Sequence, residues 1–358
     1  MTRGTVLLRG GLATAGLLGA LAVAHTLRRI GARVRWPAER DEYRDENFAL
    51  IDEDEPGEVR ADDGVSLATR TYGDASAEVT IVFVHGFCNS MESFHFQRRD
   101  LALRYGGRVR MVFFDQRGHG RSGVPATESC TIGQLGHDVA AVVRECAPTG
   151  PVVLVGHSLG GMAVLAAAAQ FPELFATRVI GVGLFSTAAA EVTATGLPQL
   201  LRHPAMEGFR LAVRTAPAFV QLSRTASKQL VTPMLHVSSF HGPVSPTLSR
   251  FTTMMIDRTP VVTIEKFLKA IELHDESAAL PVLAGLPVLI LGGAHDMVIP
   301  FANSRVLAEA LPGSELVRLG GAAHMPHLQY PDVTLDALDR LLALAGFGDT
   351  RGGEAVGG

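Results

Sequence analysis

Ser158 is the residue from which the chemistry of this chain is read. It stands at the centre of Gly156-His157-Ser158-Leu159-Gly160. A serine hydroxyl at its ordinary pKa is a poor nucleophile and needs a base to take its proton. Histidine suits that task when a carboxylate holds it in one tautomer. The chain offers Asp296 and then His324, so the three groups occur in the order serine, acid, histidine. Attack on a polarised carbon through a covalent intermediate is the chemistry such a set performs.

The elements around these residues must place them together. Val152 to Val155 is a short apolar run rich in valine, and it reads as a buried strand. The small residues from Gly161 onward read as a packed helix, so Ser158 falls on a sharp strand-to-helix turn. Glycines on either side let neighbouring backbone approach, and the helix N-terminus favours negative charge developing beside it. Further buried strands are expected at Thr80–Val84, Val109–Phe114, Val179–Phe185, Pro287–Leu291 and Leu316–Leu319. A hairpin is expected around Asp62-Asp63-Gly64. Helices are expected over 90–105, 132–146, 301–311 and 332–345. Apolar strands alternating with helices imply a mostly parallel, doubly wound sheet covered on both faces, an α/β fold. Ligands bind such sheets beyond the carboxyl ends of the strands. Ser158, Asp296, His324 and His85-Gly86-Phe87 each follow a predicted strand, so all project to one edge.

Composition narrows the classes. The chain has 358 residues and a net charge of −4. It carries no basic stripe with interleaved aromatics, which argues against nucleic acid as a partner. Cys88, Cys130 and Cys146 lack metal-ligand spacing, so neither a metal site nor a disulfide framework is expected. Residues 1–36 hold an apolar run from Gly10 to Ala24 behind Arg3 and Arg9. This suits a signal peptide or, with the following arginines, a membrane anchor, and a soluble helix is the third reading. The expectation is an exported or membrane-associated protein, with a cytoplasmic one as the alternative. Residues 37–57 are strongly acidic and read as a solvated linker. The core is expected over 58–186 and 281–346, and residues 347–358 as a disordered tail.

From 187 to 280 the alternation stops. Helical, proline-broken sequence suggests a cap inserted over the strand ends. Met206, Phe209, Phe219, Phe251 and Met254, with Phe240 and Met255, are the candidates for an apolar pocket, or else form the cap's own core.

These motifs together resemble the α/β-hydrolase superfamily, in its serine esterase and lipase group with a helical cap, over roughly 59–345. The resemblance rests on His85-Gly86-Phe87, Asp115-Gln116-Arg117-Gly118-His119-Gly120-Arg121-Ser122, the turn at 156–160, Gly292-Gly293-Ala294-His295-Asp296-Met297-Val298-Ile299-Pro300, and Ala323-His324-Met325-Pro326-His327. It implies Ser158 as nucleophile, His324 as base and Asp296 as orienting acid. It implies an oxyanion hole from the backbone N–H groups of Phe87 and Leu159. The family often has glycine before the histidine; Ala323 stands there, which keeps His327 as the alternative base. The resemblance further implies hydrolysis of carboxylic esters, with acyl or lipid-like substrates suggested by the apolar cap and no cofactor required. A perhydrolase or haloperoxidase-like activity, carbon–carbon bond hydrolysis and a non-catalytic binding protein remain the alternatives. Oligomeric state is not readable.

Overall fold

Strands that are apolar on both faces are stable only between two layers of helix. The computed structural model, which describes residues 41–194, 196–202, 204–226 and 238–347, arranges the chain in that way. Eight strands form one sheet: β1 (Glu55–Arg60), β2 (Ser66–Tyr72), β3 (Val79–Val84), β4 (Val109–Phe114), β5 (Val152–His157), β6 (Val179–Phe185), β7 (Val288–Gly293) and β8 (Glu315–Leu319). Their order across the sheet is β1-β2-β4-β3-β5-β6-β7-β8. The β1–β2 and β2–β4 pairs are antiparallel, and β3 to β8 run parallel. Every residue of β3, β5 and β7 is buried.

Helices α1 (His95–Tyr105) and α9 (Pro331–Leu344) cover one face, and α2 (Ile132–Cys146) and α3 (Leu159–Gln170) cover the other. α3 is almost wholly buried and, before its final Gln170, built from Gly, Ala, Val, Leu and Met, which lets it lie close on both α2 and the sheet. Between β6 and β7 lie α4 (Pro204–Thr215), α5 (Pro217–Ala226), α6 (Pro246–Arg258) and α7 (Val261–Glu272); α8 (Phe301–Ala310) follows β7. The two ends of this insertion are stitched together. Ala190 bridges to Asp275, the Glu276 N–H donates to the Ala189 carbonyl at 2.7 Å, and His274 Nε2–H donates to the Ala188 carbonyl at 2.8 Å. Phe267 of α7 belongs to the same apolar cluster as α2 and α3, so the insertion shares the main core.

The acidic stretch is not a free linker. Residues 41–54 form a strap bonded to both core and insertion. Asp54 receives two-pronged hydrogen bonds from the buried Arg98 at 2.6–3.0 Å. Glu46 accepts from His95 Nε2–H and from Arg99, each at 2.7 Å. Asp41 accepts from Thr247 Oγ1–H at 2.8 Å and from the Ser245 hydroxyl at the start of α6, so the bonds hold its carboxyl below the usual range. Phe48 stacks on Phe251 with ring centroids 4.3 Å apart. Composition alone sees charge and reads solvent; here the charges meet partners far away in the sequence.

The apolar segment near the N-terminus and residues 348–358 lie outside the described residues, so the signal-or-anchor expectation falls there. Among the described residues no helix is long and apolar enough to cross a membrane. Phe347, placed in the tail by its sequence, is buried against Tyr105 with the Arg108 guanidinium over its ring.

Candidate active site

The turn after β5 forces Ser158 to φ +52°, a left-handed conformation that a serine rarely adopts. The surroundings hold it there. Its N–H donates to the Phe185 carbonyl at 2.9 Å, and its own carbonyl accepts from Thr187 Oγ1–H at 2.8 Å. A Cβ at position 160 would run into the Val84 carbonyl, so only glycine lets α3 start this close to β3. The serine is thereby lifted to the carboxyl edge of the sheet, at the N-terminus of α3.

Two other strand ends bring the remaining groups. Asp296 follows β7, and its Oδ1 accepts the Val298 and Ile299 N–H groups, both at 2.8 Å. Its Oδ2 accepts from His324 Nδ1–H at 2.8 Å. An ionised carboxylate only accepts, so the His324 proton sits on Nδ1 and Nε2 is left as the base. Nε2 lies 3.0 Å from Ser158 Oγ. The three side chains expected from the sequence therefore meet in one hydrogen-bonded relay across strand ends distant in the chain.

A family model described as alpha/beta hydrolase fold matches residues 79–331. The chain belongs to that family. It is similar to a monoacylglycerol lipase of Mycolicibacterium smegmatis, at 24% identity over 68% of this chain and 79% of the relative. It is also similar to an sn-1-specific diacylglycerol lipase of Xenopus tropicalis, at 26% identity over 77% of this chain and 81% of the relative. Among solved structures it resembles a thermophilic esterase from Thermogutta terrifontis, with a TM-score of 0.63 and 21% identity, covering 81% of this chain and 99% of that one.

In this α/β-hydrolase the relay opens onto a cavity of about 240 Å³. Phe87 and Leu159 line it beside Ser158 and His324. Leu159 opens α3, so its N–H belongs to the first turn, which has no partner within the helix. The walls are apolar: Met162, Val192, Ile256, Ile271, Ile299 and Met325. Asn89, Ser238 and Ser239 supply polar edges.

The pocket candidates named from the sequence fare differently. Phe251 and Met254 do not line this cavity. Phe251 packs with Phe96, Phe240, Leu248, Met255, Met325 and Leu328 in a cluster under the strap, which shares Met325 with the cavity wall. Met254 is 40% exposed and faces outward. The side chains of Met206, Phe209 and Phe219 lie outside what the structure describes. Ile256 and Ile271 were missed; each lies on an amphipathic helix with apolar residues on more than one side, and the sequence does not tell which side faces the serine. Val298 and Ile299 belong to the motif around Asp296, but nothing in the sequence placed them at the cavity; their N–H groups hold Asp296 and their side chains line the pocket.

Two other histidines beside the site, His85 and His327, are buried. His85 is fully buried; its Nδ1–H donates to the Gly86 carbonyl at 2.8 Å and its Nε2 accepts the Gln116 N–H at 2.9 Å. Burial pushes its pKa down to about 3, with His119 nearby adding to the effect. His327 is also fully buried, and burial, then the neighbouring His324, pushes it down to about 3. It makes no hydrogen bond to Ser158 or Asp296 among the described residues, whereas His324 makes both. Asp138 is occupied by Arg117, and Asp275 is turned to Ser277 on the surface.

Proposed function

We propose that this α/β-hydrolase cleaves carboxylic esters through an acyl-enzyme on Ser158. The observation that carries the reading is the Ser158–His324–Asp296 relay at the floor of an apolar cavity. Ser158 Oγ attacks the ester carbonyl carbon while His324 Nε2 takes its proton. The oxyanion that forms is held by the N–H groups of Phe87 and Leu159, an interaction worth about 3 kcal/mol per donor. Collapse breaks the bond to the alcohol oxygen, which leaves with the proton from His324. Water then repeats the cycle: His324 takes its proton, hydroxide attacks the acyl carbon, and the acid departs as Ser158 regains its hydrogen. The test is a fluorophosphonate probe with p-nitrophenyl ester turnover. A covalent adduct on Ser158 and release of p-nitrophenol are expected; folded protein that gives no adduct overturns the reading.

The lipase relatives support an acyl ester as the substrate class, and the cavity sets its size. Its volume of about 240 Å³ falls just below the range of about 300–1,000 Å³ common for small-molecule sites. That accommodates a short or medium acyl chain, and a longer one would emerge through the mouth. Each methylene buried in the apolar walls is worth about 0.8 kcal/mol, or about fourfold in kcat/KM. In a p-nitrophenyl ester series the rate constant is expected to climb from acetate to hexanoate or octanoate and then level or fall. A series that declines from acetate onward counts against an acyl-binding cavity.

A further inference from the structure

We propose that His157, the residue before the nucleophile, is a positioning residue that keys three strand ends of the site to one another. It is fully buried, and its Nε2–H donates to the main-chain carbonyl of His324 at 2.8 Å. Only a donating nitrogen satisfies a carbonyl, so the Nε2–H tautomer is required. Burial, followed by the proximity of His327 and His324, lowers its pKa well below the ordinary value, so it is neutral and is not itself a base. Its ring lies 5.0 Å from the ring of His324 and 4.5 Å from that of His327. On its other side it rests against the oxyanion loop. A Cβ placed on Gly86 would stand 2.6 Å from His157 Nδ1 and 3.0 Å from Cε1. Gly86 has no positive φ; it is a glycine because the His157 ring occupies the space of its side chain.

One imidazole thus touches the loop before Phe87, ends the strand that delivers Ser158, and bonds the backbone of the general base. The inference rests on the ester-hydrolase reading above and goes beyond it. The relay's own bonds orient the His324 ring through Nδ1 and Nε2, and His157 holds the main chain from which that ring projects. Without this bond the main chain of His324 loses its tie to the β5 strand end, and the 3.0 Å approach to Ser158 Oγ loses its backbone reference. Misplacement of a reacting group by about 1 Å costs about 100-fold.

The test compares His157→Gln and His157→Asn on a p-nitrophenyl ester, with Gly86→Ala as a third variant. A glutamine amide reaches the place of Nε2 and keeps the donor; an asparagine amide is too short. Asparagine is expected to lower kcat about 100-fold with KM little changed, since the cavity walls are untouched. Glutamine is expected to recover to within about tenfold of the parent by restoring the N–H. Gly86→Ala, which pushes the ring aside, is expected to match the asparagine variant, and combining the two is expected to cost less than the sum of both. Equal kcat for the glutamine and asparagine variants overturns the proposal, because ring packing rather than the donated bond would then matter. A kcat for asparagine close to the parent's also overturns it. A parent protein that neither turns over esters nor labels with fluorophosphonate instead sinks the ester-hydrolase reading, so the two failures are distinguishable.

Discussion

An Asp296→Asn variant is expected to lose about 10⁴-fold in kcat while binding ester as before. The size is that of the same exchange in a serine protease; the direction follows from the bonds here. Asp296 Oδ1 is claimed by two N–H donors, Val298 and Ile299, and Oδ2 by His324 Nδ1–H. An asparagine has a single accepting oxygen. The two backbone donors are fixed by the turn after β7, so that oxygen is drawn to them. The amide nitrogen then faces His324 Nδ1 and donates to it. The imidazole answers by placing its hydrogen on Nε2, which faces Ser158 Oγ at 3.0 Å. A protonated Nε2 cannot take the serine proton. The residues forming the cavity are unchanged, so KM for a p-nitrophenyl ester is expected to move little. Steady-state kinetics on Asp296→Asn, with Ser158→Ala as the background, check this. A loss below about tenfold means that Asp296 does not set the tautomer and that another group orients His324.

Ser158 and Asp296 were legible before the structure because each follows a strand that the sequence cannot disguise. β5 and β7, like β3, are buried along their whole length, so they appear as unbroken apolar runs, and the parallel order carries their carboxyl ends to one edge. His324 follows the edge strand β8, where only Leu319 is buried, and its signal was its place after the acid in the chain. The turn at 156–160 was legible because its glycines are enforced by the backbone of β3 and α3. The pocket was not legible for a geometric reason. Phe251, Met254, Met255 and Ile256 share α6, and at about 100° per residue Ile256 points about 140° away from Phe251 and about 160° away from Met254. Amphipathicity marks α6 as packed, but it packs on two sides, the strap cluster and the cavity, and nothing local says which side is which. The strap itself was read as solvated because composition records charge without partners. Asp41, Glu46 and Asp54 find theirs on α1 and at the N-terminus of α6, between 44 and 206 residues away. The bond of His157 was hidden for the same reason: its partner is a backbone carbonyl 167 residues on, which no side-chain pattern announces.

The largest loss of stability is expected from Asp138→Ala, at about 3–5 kcal/mol. Arg117 is fully buried, and its Nε and Nη2 each lie 2.6 Å from the Asp138 carboxylate. Asp63 supplies the other side, at 2.5 Å from Nη1 and 3.2 Å from Nη2, but its side chain is 28% exposed and its attraction is partly screened. Removing Asp138 therefore leaves Nε of a buried guanidinium without its acceptor. A typical domain has about 5–15 kcal/mol in hand, so a large share would go. The replacement Arg117→Met with Asp138→Leu removes both charges and keeps the volume, and it is expected to cost far less than Asp138→Ala alone. Arg117 also sits next to Gln116, whose N–H and side-chain amide both hold His85 at the root of the loop that leads to Phe87. A loosened Arg117 thus reaches the site through one neighbour, and the alanine variant is expected to lose activity at urea concentrations where the double variant keeps it. Urea unfolding midpoints with parallel activity measurements decide the matter. An Asp138→Ala protein that unfolds at the parent's midpoint would mean that Asp63 alone satisfies the guanidinium. The order single variant weaker than double variant is the signature of a buried charge left without its partner, and simple loss of packing would reverse it.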